Sequence, residues 1–207
     1  MKSEPAVYVL GGTGVDRDGI CRLVHTVGLR AECFDSTESF LDHYNPDIPG
    51  CVVAHVYAAD ADSLQVQAKL AHAGHRIPVI LLTEWDDMAM AVRAMRAGAV
   101  SVLRKPLSNG DLPELIHEAI AKDKANRRVQ ARVTESRRRL ARLTPREREV
   151  LKLVVRGKAN KEVAASLSVS EKTVEIHRAH VKKKLQAQSI AALVRMVLLG
   201  STKTEDV

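Results

Sequence analysis

Short apolar runs punctuate the first half of the chain. AVYVL at 6–10, CVVAHV at 51–56, IPVILL at 77–82 and VSVL at 100–103 are rich in branched side chains. Such runs are expected of strands buried on both faces. A weaker strand is expected near Ala31 to Phe34. Between the runs the apolar positions change to helical spacing, at Ile20, Leu23, Val24 and Val27, at Leu64, Val66, Leu70 and Ala71, and at Met88, Val92 and Met95. Strand and helix alternate about five times, which predicts a parallel sheet with helices on both sides.

The second half reads as helices alone. Residues 112 to 143 hold no Gly and no Pro after Pro113, and Arg and Lys crowd Lys122 to Arg142. Val129, Val133, Ser136, Leu140 and Leu143 recur at heptad steps with one polar position. The pattern predicts a helix leaving the first domain as a linker, either a two-stranded coiled coil or a single solvated basic helix. In LTPREREVLKLVVRG, Thr144 suits an N-cap, Pro145 the first helical position and Glu147 the reciprocal capping contact, and Gly157 suits the stop. A short helix from Lys161 to Leu167, a tight turn at LSVS and a helix capped by Ser170 and reaching about Leu185 follow. Ser189 is placed to cap a last helix with Ile190, Leu193, Val194 and Leu198 on one face.

A short helix, a tight turn and a second amphipathic helix make a helix-turn-helix, whose second helix enters the major groove of DNA. Val163, Ala164, Leu167, Val169, Val174, Val181 and Leu185 supply the apolar side that locks the pair. Helical spacing then turns Lys172, Glu175, Ile176, Ala179, Lys182 and Lys183 outward, with Thr173 beside them. Glu175 can accept from a cytosine amino group, and Ile176 and Ala179 can touch a thymine methyl, each good base contact adding roughly 1–3 kcal/mol of discrimination. Lys161, Lys172, Arg178 and Lys182 to Lys184 suit phosphates, and Asn160 is expected both to cap the short helix and to hold a phosphate. The alternative is a basic helical bundle with no such task.

Charge supports the division of labour. The 207 residues carry a net charge of +7. Residues 1 to 121 hold 10 basic and 16 acidic side chains, a net of −6, and residues 122 to 207 hold 22 and 9, a net of +13. An acidic module before a basic one fits a regulatory domain joined to one that binds double-stranded DNA. Aromatics are 3% of the chain, too few for a stacking platform on single strands. The basic half contains no Trp or Phe for a membrane-surface helix. With no signal-peptide pattern at MKSEPAVYVL and no apolar run near the roughly 18 residues of a span, the expected location is the cytoplasm. Cys21, Cys33 and Cys51 are odd in number and lack CxxC spacing, so structural thiols are expected rather than a disulfide framework or zinc site, with a redox-sensing thiol as the alternative.

At these residues the chain resembles a known family. Residues 140 to 200 are similar to the LuxR/NarL-type DNA-binding domain through LTPREREVL, the Gly157 to Asn160 join and SVSEKTVEIHRAHVKKKL, and EIHRA is closest to the FixJ-like branch. The resemblance implies that Ile190, Leu193, Val194 and Leu198 form a dimer contact on DNA, over an operator of two half-sites. It also implies a preceding receiver, the phosphorylatable (βα)5 module of two-component signalling. PGCVV, PVILLT, AVRAMRAGAV and the pair Lys105 and Pro106 fit that layout. The fold expected is therefore α/β plus all-α: a (βα)5 flavodoxin-like receiver over 1–121, a helical linker over 122–139 and a four-helix LuxR-type domain over 140–207, with its helix-turn-helix at 160–179.

The receiver's chemistry departs from that pattern. Receivers hold magnesium on an acidic pair after the first strand and on a phosphoacceptor aspartate ending the third, and magnesium wants carboxylate oxygens. Here Gly11 and Gly12 follow the first strand and His55 ends the third. Asp16, Asp18, Asp60 and Asp62 fall at helix starts or loops, where capping is their expected role. Thr83 and Lys105 persist, and Lys105 is expected to turn to carbonyls, water or Glu84, while Val102 stands at the aromatic reporter position. A degenerate site at Gly11, Gly12, His55, Thr83 and Lys105 is thus expected, with no aspartyl phosphorylation, cofactor, metal ligand or catalytic residue. His55 reads as a neutral pocket histidine, or else as a phosphohistidine, metal or haem ligand. VYVLGGTG imitates a dinucleotide fingerprint, but the spacing needs glycine where Arg17 stands. The function expected is a phosphorylation-independent, dimeric transcription factor, not an enzyme. RNA polymerase and another regulatory protein are further candidate partners, and a membrane is not. A ligand or redox sensor and a sequestering partner of another regulator are the alternatives.

Overall fold

The computed structural model describes residues 4–56, 61–84, 86–107 and 110–201, and the side chains of 61–65 are outside it. Asp60 and the Asp62 side chain therefore lie outside the described residues. The chain divides into two compact units between Arg127 and Arg128.

In the first unit, β1 (Ala6–Leu10), β2 (Arg30–Phe34), β3 (Gly50–Val56), β4 (Val79–Thr83) and β5 (Ser101–Arg104) form one sheet in the order β2-β1-β3-β4-β5. Every pairing is parallel. The alternation of side chains along each strand sorts the core into two layers. Ala6, Tyr8 and Leu10 of β1 face Phe40 of α2 (Thr37–His43), Val66 and Leu70 of α3 (Ala61–His72), and Met90 and Ala94 of α4 (Met88–Arg96). Val7 and Val9 face Ile20 and Val24 of α1 (Gly14–Thr26) and Leu112, Ile116 and Ile120 of α5 (Asp111–Ala141). Gly50 starts β3 where a Cβ would come within 2.3 Å of the Ala6 carbonyl oxygen, so only glycine fits. Its N–H donates to the Asp123 carboxylate at 3.0 Å. Asp123, 2% exposed, also accepts from Arg127 Nε at 2.5 Å, and Arg127 reaches the Tyr44 hydroxyl at 2.9 Å and the Pro46 carbonyl.

The second unit is helical. The C-terminal part of α5 is followed by α6 (Pro145–Val155), α7 (Asn160–Leu167), α8 (Glu171–Leu185) and α9 (Ile190–Ser201). Val150, Val154, Val163, Val174, Val181 and Leu185 form its core. The stretch expected as a separate linker, 122–139, is shared out: residues to Arg127 pack with the first unit and those from Arg128 with the second. The heptad positions explain why. Val133, Ser136 and Leu143 are buried within the chain, Leu140 packs on the same core and Val129 stays 54% exposed. The Arg139 guanidinium also donates to the Leu185 carbonyl at 3.2 Å. Leu140 and Leu143 thus pack on the unit's own helices, while Val129 does not.

Candidate nucleic-acid interface and receiver pocket

The helix-turn-helix is assembled from caps inward. At α6, the Thr144 hydroxyl accepts from the Glu147 N–H at 3.3 Å and the Glu147 carboxylate accepts from the Thr144 N–H at 2.8 Å. Glu147 is 3% exposed and also binds Lys184 Nζ of α8 at 2.7 Å. Burial pushes the Glu147 carboxyl up, but the bonds from Lys184 and Thr144 outweigh it and hold the group below its ordinary value. Lys184 is therefore committed to Glu147 and not to the phosphate role expected of it.

α7 begins differently from the expectation. Its N-cap is Ala159, whose N–H donates to Glu162 at 2.9 Å, and Asn160 is the first helical residue. Asn160 is not the cap because the Glu162 carboxylate reaches back to the cap N–H. Its side-chain oxygen accepts instead from Arg178 at 2.6 Å, fastening α7 to α8. Ser168, at φ +53°, makes the tight turn, and Ser170 caps α8 by accepting from the Thr173 N–H at 3.1 Å.

With Val174, Val181 and Leu185 turned inward, Lys172, Glu175, Ile176, Ala179, Lys182 and Lys183 come out together on the exposed side of α8. Ile176 is 50% exposed, an apolar side chain held in water. Lys161 is exposed on α7. Thr173 and Arg178 are half-buried, Thr173 lying 2.8 Å from the Ser170 hydroxyl. On α9, Ile190 and Leu198 are exposed and Val194 is half-buried. Leu193 is 2% exposed in the core, so it cannot serve the dimer contact expected of it.

In the first unit, Gly11 and Gly12 adopt φ +67° and +88° at the end of β1. A Cβ on Gly12 would lie 3.0 Å from the His55 ring, so the glycine makes room for the imidazole. His55 is 7% exposed and Thr83 3%. Burial, aided by the charges of Lys105 and Arg17 and opposed by Asp16, pushes the His55 imidazole down to about 4. A neutral ring follows at pH 7. Lys105 finds its partner in Asp16, at 2.7 Å, with Glu84 at 3.7 Å. Carbonyls, water or Glu84 were expected, of which Glu84 is found, and Asp16 was expected only to cap. It does cap, since its carboxylate accepts from the Thr13 N–H at 3.4 Å, and it also receives the Thr13 hydroxyl at 2.7 Å and Lys105. The side-chain bonds from Lys105 and Thr13 hold the Asp16 carboxyl well below the usual carboxylate range. The clue was Thr13-x-x-Asp16, a capping pair that sets a carboxylate beside the C-terminal edge of the sheet.

Among the described residues no group of three His, Cys, Asp or Glu is arranged to hold a metal ion. Cys51 is buried in β3, where burial pushes its thiol up to about 12. Cys21 is likewise pushed up to about 12, by burial and by a hydrogen bond with Cys33. All three are free thiols.

Residues 15–117 match the family described as response regulator receiver domain, and residues 141–197 match the luxR family of bacterial regulatory proteins. Nodulation protein W of Bradyrhizobium diazoefficiens is 38% identical, over 94% of this chain and 86% of its own. The transcriptional regulatory protein FixJ of the same organism is 31% identical, over 96% of this chain and 97% of its own. The solved structure of the response regulator StyR superposes with a TM-score of 0.84 at 32% identity, covering 95% of this chain and 99% of that one.

Proposed function

Because the chain belongs to the FixJ-like response regulators, a receiver domain followed by a luxR-type DNA-binding domain, we propose that it regulates transcription as a dimer without aspartyl phosphorylation. Its family consists of regulators and not of enzymes. The observation that carries the reading is the exposed side of α8, where Glu175, Ile176 and Ala179 stand between lysines. In the major groove, Glu175, Ile176 and Ala179 read base edges, while Lys161, Lys172, Lys182 and Lys183 hold phosphates. Thr173 and the Arg178–Asn160 pair set the pose of the two helices and touch the backbone at its edge. Ile190, Val194 and Leu198 of α9 join the two copies over two half-sites. RNA polymerase is the natural further partner of a regulator so placed, and the cytoplasm is where its DNA is found. No described helix is long and apolar enough to cross a membrane.

Phosphorylation independence is supported by the pocket itself. Gly11, Gly12 and His55 offer no carboxylate for magnesium, and Lys105 already has an anionic partner in Asp16. The domain limits 1–121, 122–139 and 140–207 remain a functional division: sensing module, connecting helix, reading module. Incubation with acetyl phosphate and magnesium, followed by intact mass, sedimentation and operator titration, tests the reading. Mass, oligomeric state and affinity are expected to stay unchanged, and a phosphoryl adduct would refute it. A genome-wide footprint supplies the operator, and Glu175→Ala is expected to relax base preference at one position in each half-site.

A further inference from the structure

We propose that the second unit carries a binding site for a small amphipathic anion, a carboxylate with an apolar body, in the groove between the end of α5, α6 and the end of α9. The groove encloses about 430 Å³, within the roughly 300–1,000 Å³ typical of small-molecule sites. Leu140, Leu143, Leu151, Val155 and Val197 line it. Leu143 and Leu151 are fixed in the core at 3% and 4% exposure, so the apolar surface is preformed. Gly200 forms part of the wall, and a Cβ there would come within 2.5 Å of Leu140 Cδ1. Absence of a side chain at 200 keeps the groove open.

Charge selects the occupant. Arg137, Arg148 and Lys152 stand among the lining residues, which among the described residues include no Asp or Glu. The Arg137 Nε–H donates to the Gly200 carbonyl at 3.4 Å and an Arg148 N–H to the Ala141 carbonyl at 3.3 Å, which fixes both guanidinium groups at the groove. The Arg148 guanidinium carries five N–H donors in a planar fork, so its further donors can meet a carboxylate. Lys152 lies one turn beyond Arg148 on α6 and both are exposed. An apolar body in the groove thus places its carboxylate beside Arg148 and Lys152 of α6. The larger groove beside Arg132 and Arg139 is a weaker candidate, because Glu135 lines it and already pairs with Arg139 at 2.6 Å. No residue of α8 lines the proposed site, which is therefore separate from the DNA-reading stripe.

Calorimetric titration of the full-length protein with sodium octanoate, octan-1-ol and octylammonium at physiological ionic strength tests the site. Octanoate is expected to bind saturably at one site per chain, octanol more weakly and octylammonium not at all. The double charge reversal Arg148→Glu with Lys152→Glu, at two exposed positions, should weaken octanoate by about tenfold or more while circular dichroism and the unfolding midpoint stay unchanged. Gly200→Val, which drives Leu140 into the groove, should weaken octanoate and octanol alike. Absence of saturable octanoate binding, equal binding by the charge-reversed protein, or octylammonium binding as well as octanoate overturns the proposal.

Discussion

His55 makes the stability of the first unit depend on pH. Its imidazole is pushed down to about 4 in the folded chain, chiefly by burial, against about 6.5 when unfolded. Between those values the unfolded chain binds the extra proton, so its share of stability is complete above about pH 6.5 and lost as pH falls toward 4. The urea midpoint should drop across that window, and His55→Gln should flatten the drop; equal slopes would show that other groups govern it. His55 was legible as the polar residue of the run CVVAHV, although β3 runs one residue past it to Val56. The pairing of Lys105 with Asp16 was not, because the two are 89 residues apart and only the closed sheet brings them together.

Helix limits were legible wherever a side chain caps its own helix, as Thr144 and Ser170 do. Asn160 misled because residue type alone favours asparagine as a cap, and nothing local reveals that Arg178 claims it from 18 residues away. The fate of the heptad positions in α5 was equally hidden, since periodicity marks a face to be buried but not what buries it. Near the middle of α5, Asp123 joins that helix to β3 through Gly50 and to α2's end through Arg127 and Tyr44. Replacing it by alanine leaves the Gly50 N–H and the guanidinium without their acceptor. The cost should be about 3 kcal/mol, the lower end for a broken buried pair because Arg127 is partly exposed. Hydrogen exchange should show lost protection at Gly50 and along residues 116–127, and a variant as protected as the parent would contradict this role.

Across the whole chain, the net charge of +7 divides into −6 and +13, yet the structure shows that not every cation of the basic half is available to DNA. Lys184 is held by Glu147, whereas Arg178, bound through one N–H to the neutral Asn160, keeps donors for the backbone. Lys161, Lys172, Arg178, Lys182 and Lys183 remain, and a dimer holding about ten phosphates with them predicts a slope of log affinity on log salt near −9. Lys172→Ala should reduce the magnitude by about 2, since the dimer loses two contacts; an unchanged slope would place Lys172 away from the backbone. The glycine corner of the first unit has a consequence of another kind, for any effort to endow the protein with phosphoryl chemistry. An aspartate at 12 meets both a left-handed backbone and the ring of His55. Position 55 must be changed first, and strain at 12 persists even then. Substitutions in this pocket are therefore epistatic: aspartate at 12 costs more with His55 in place than with a smaller residue at 55.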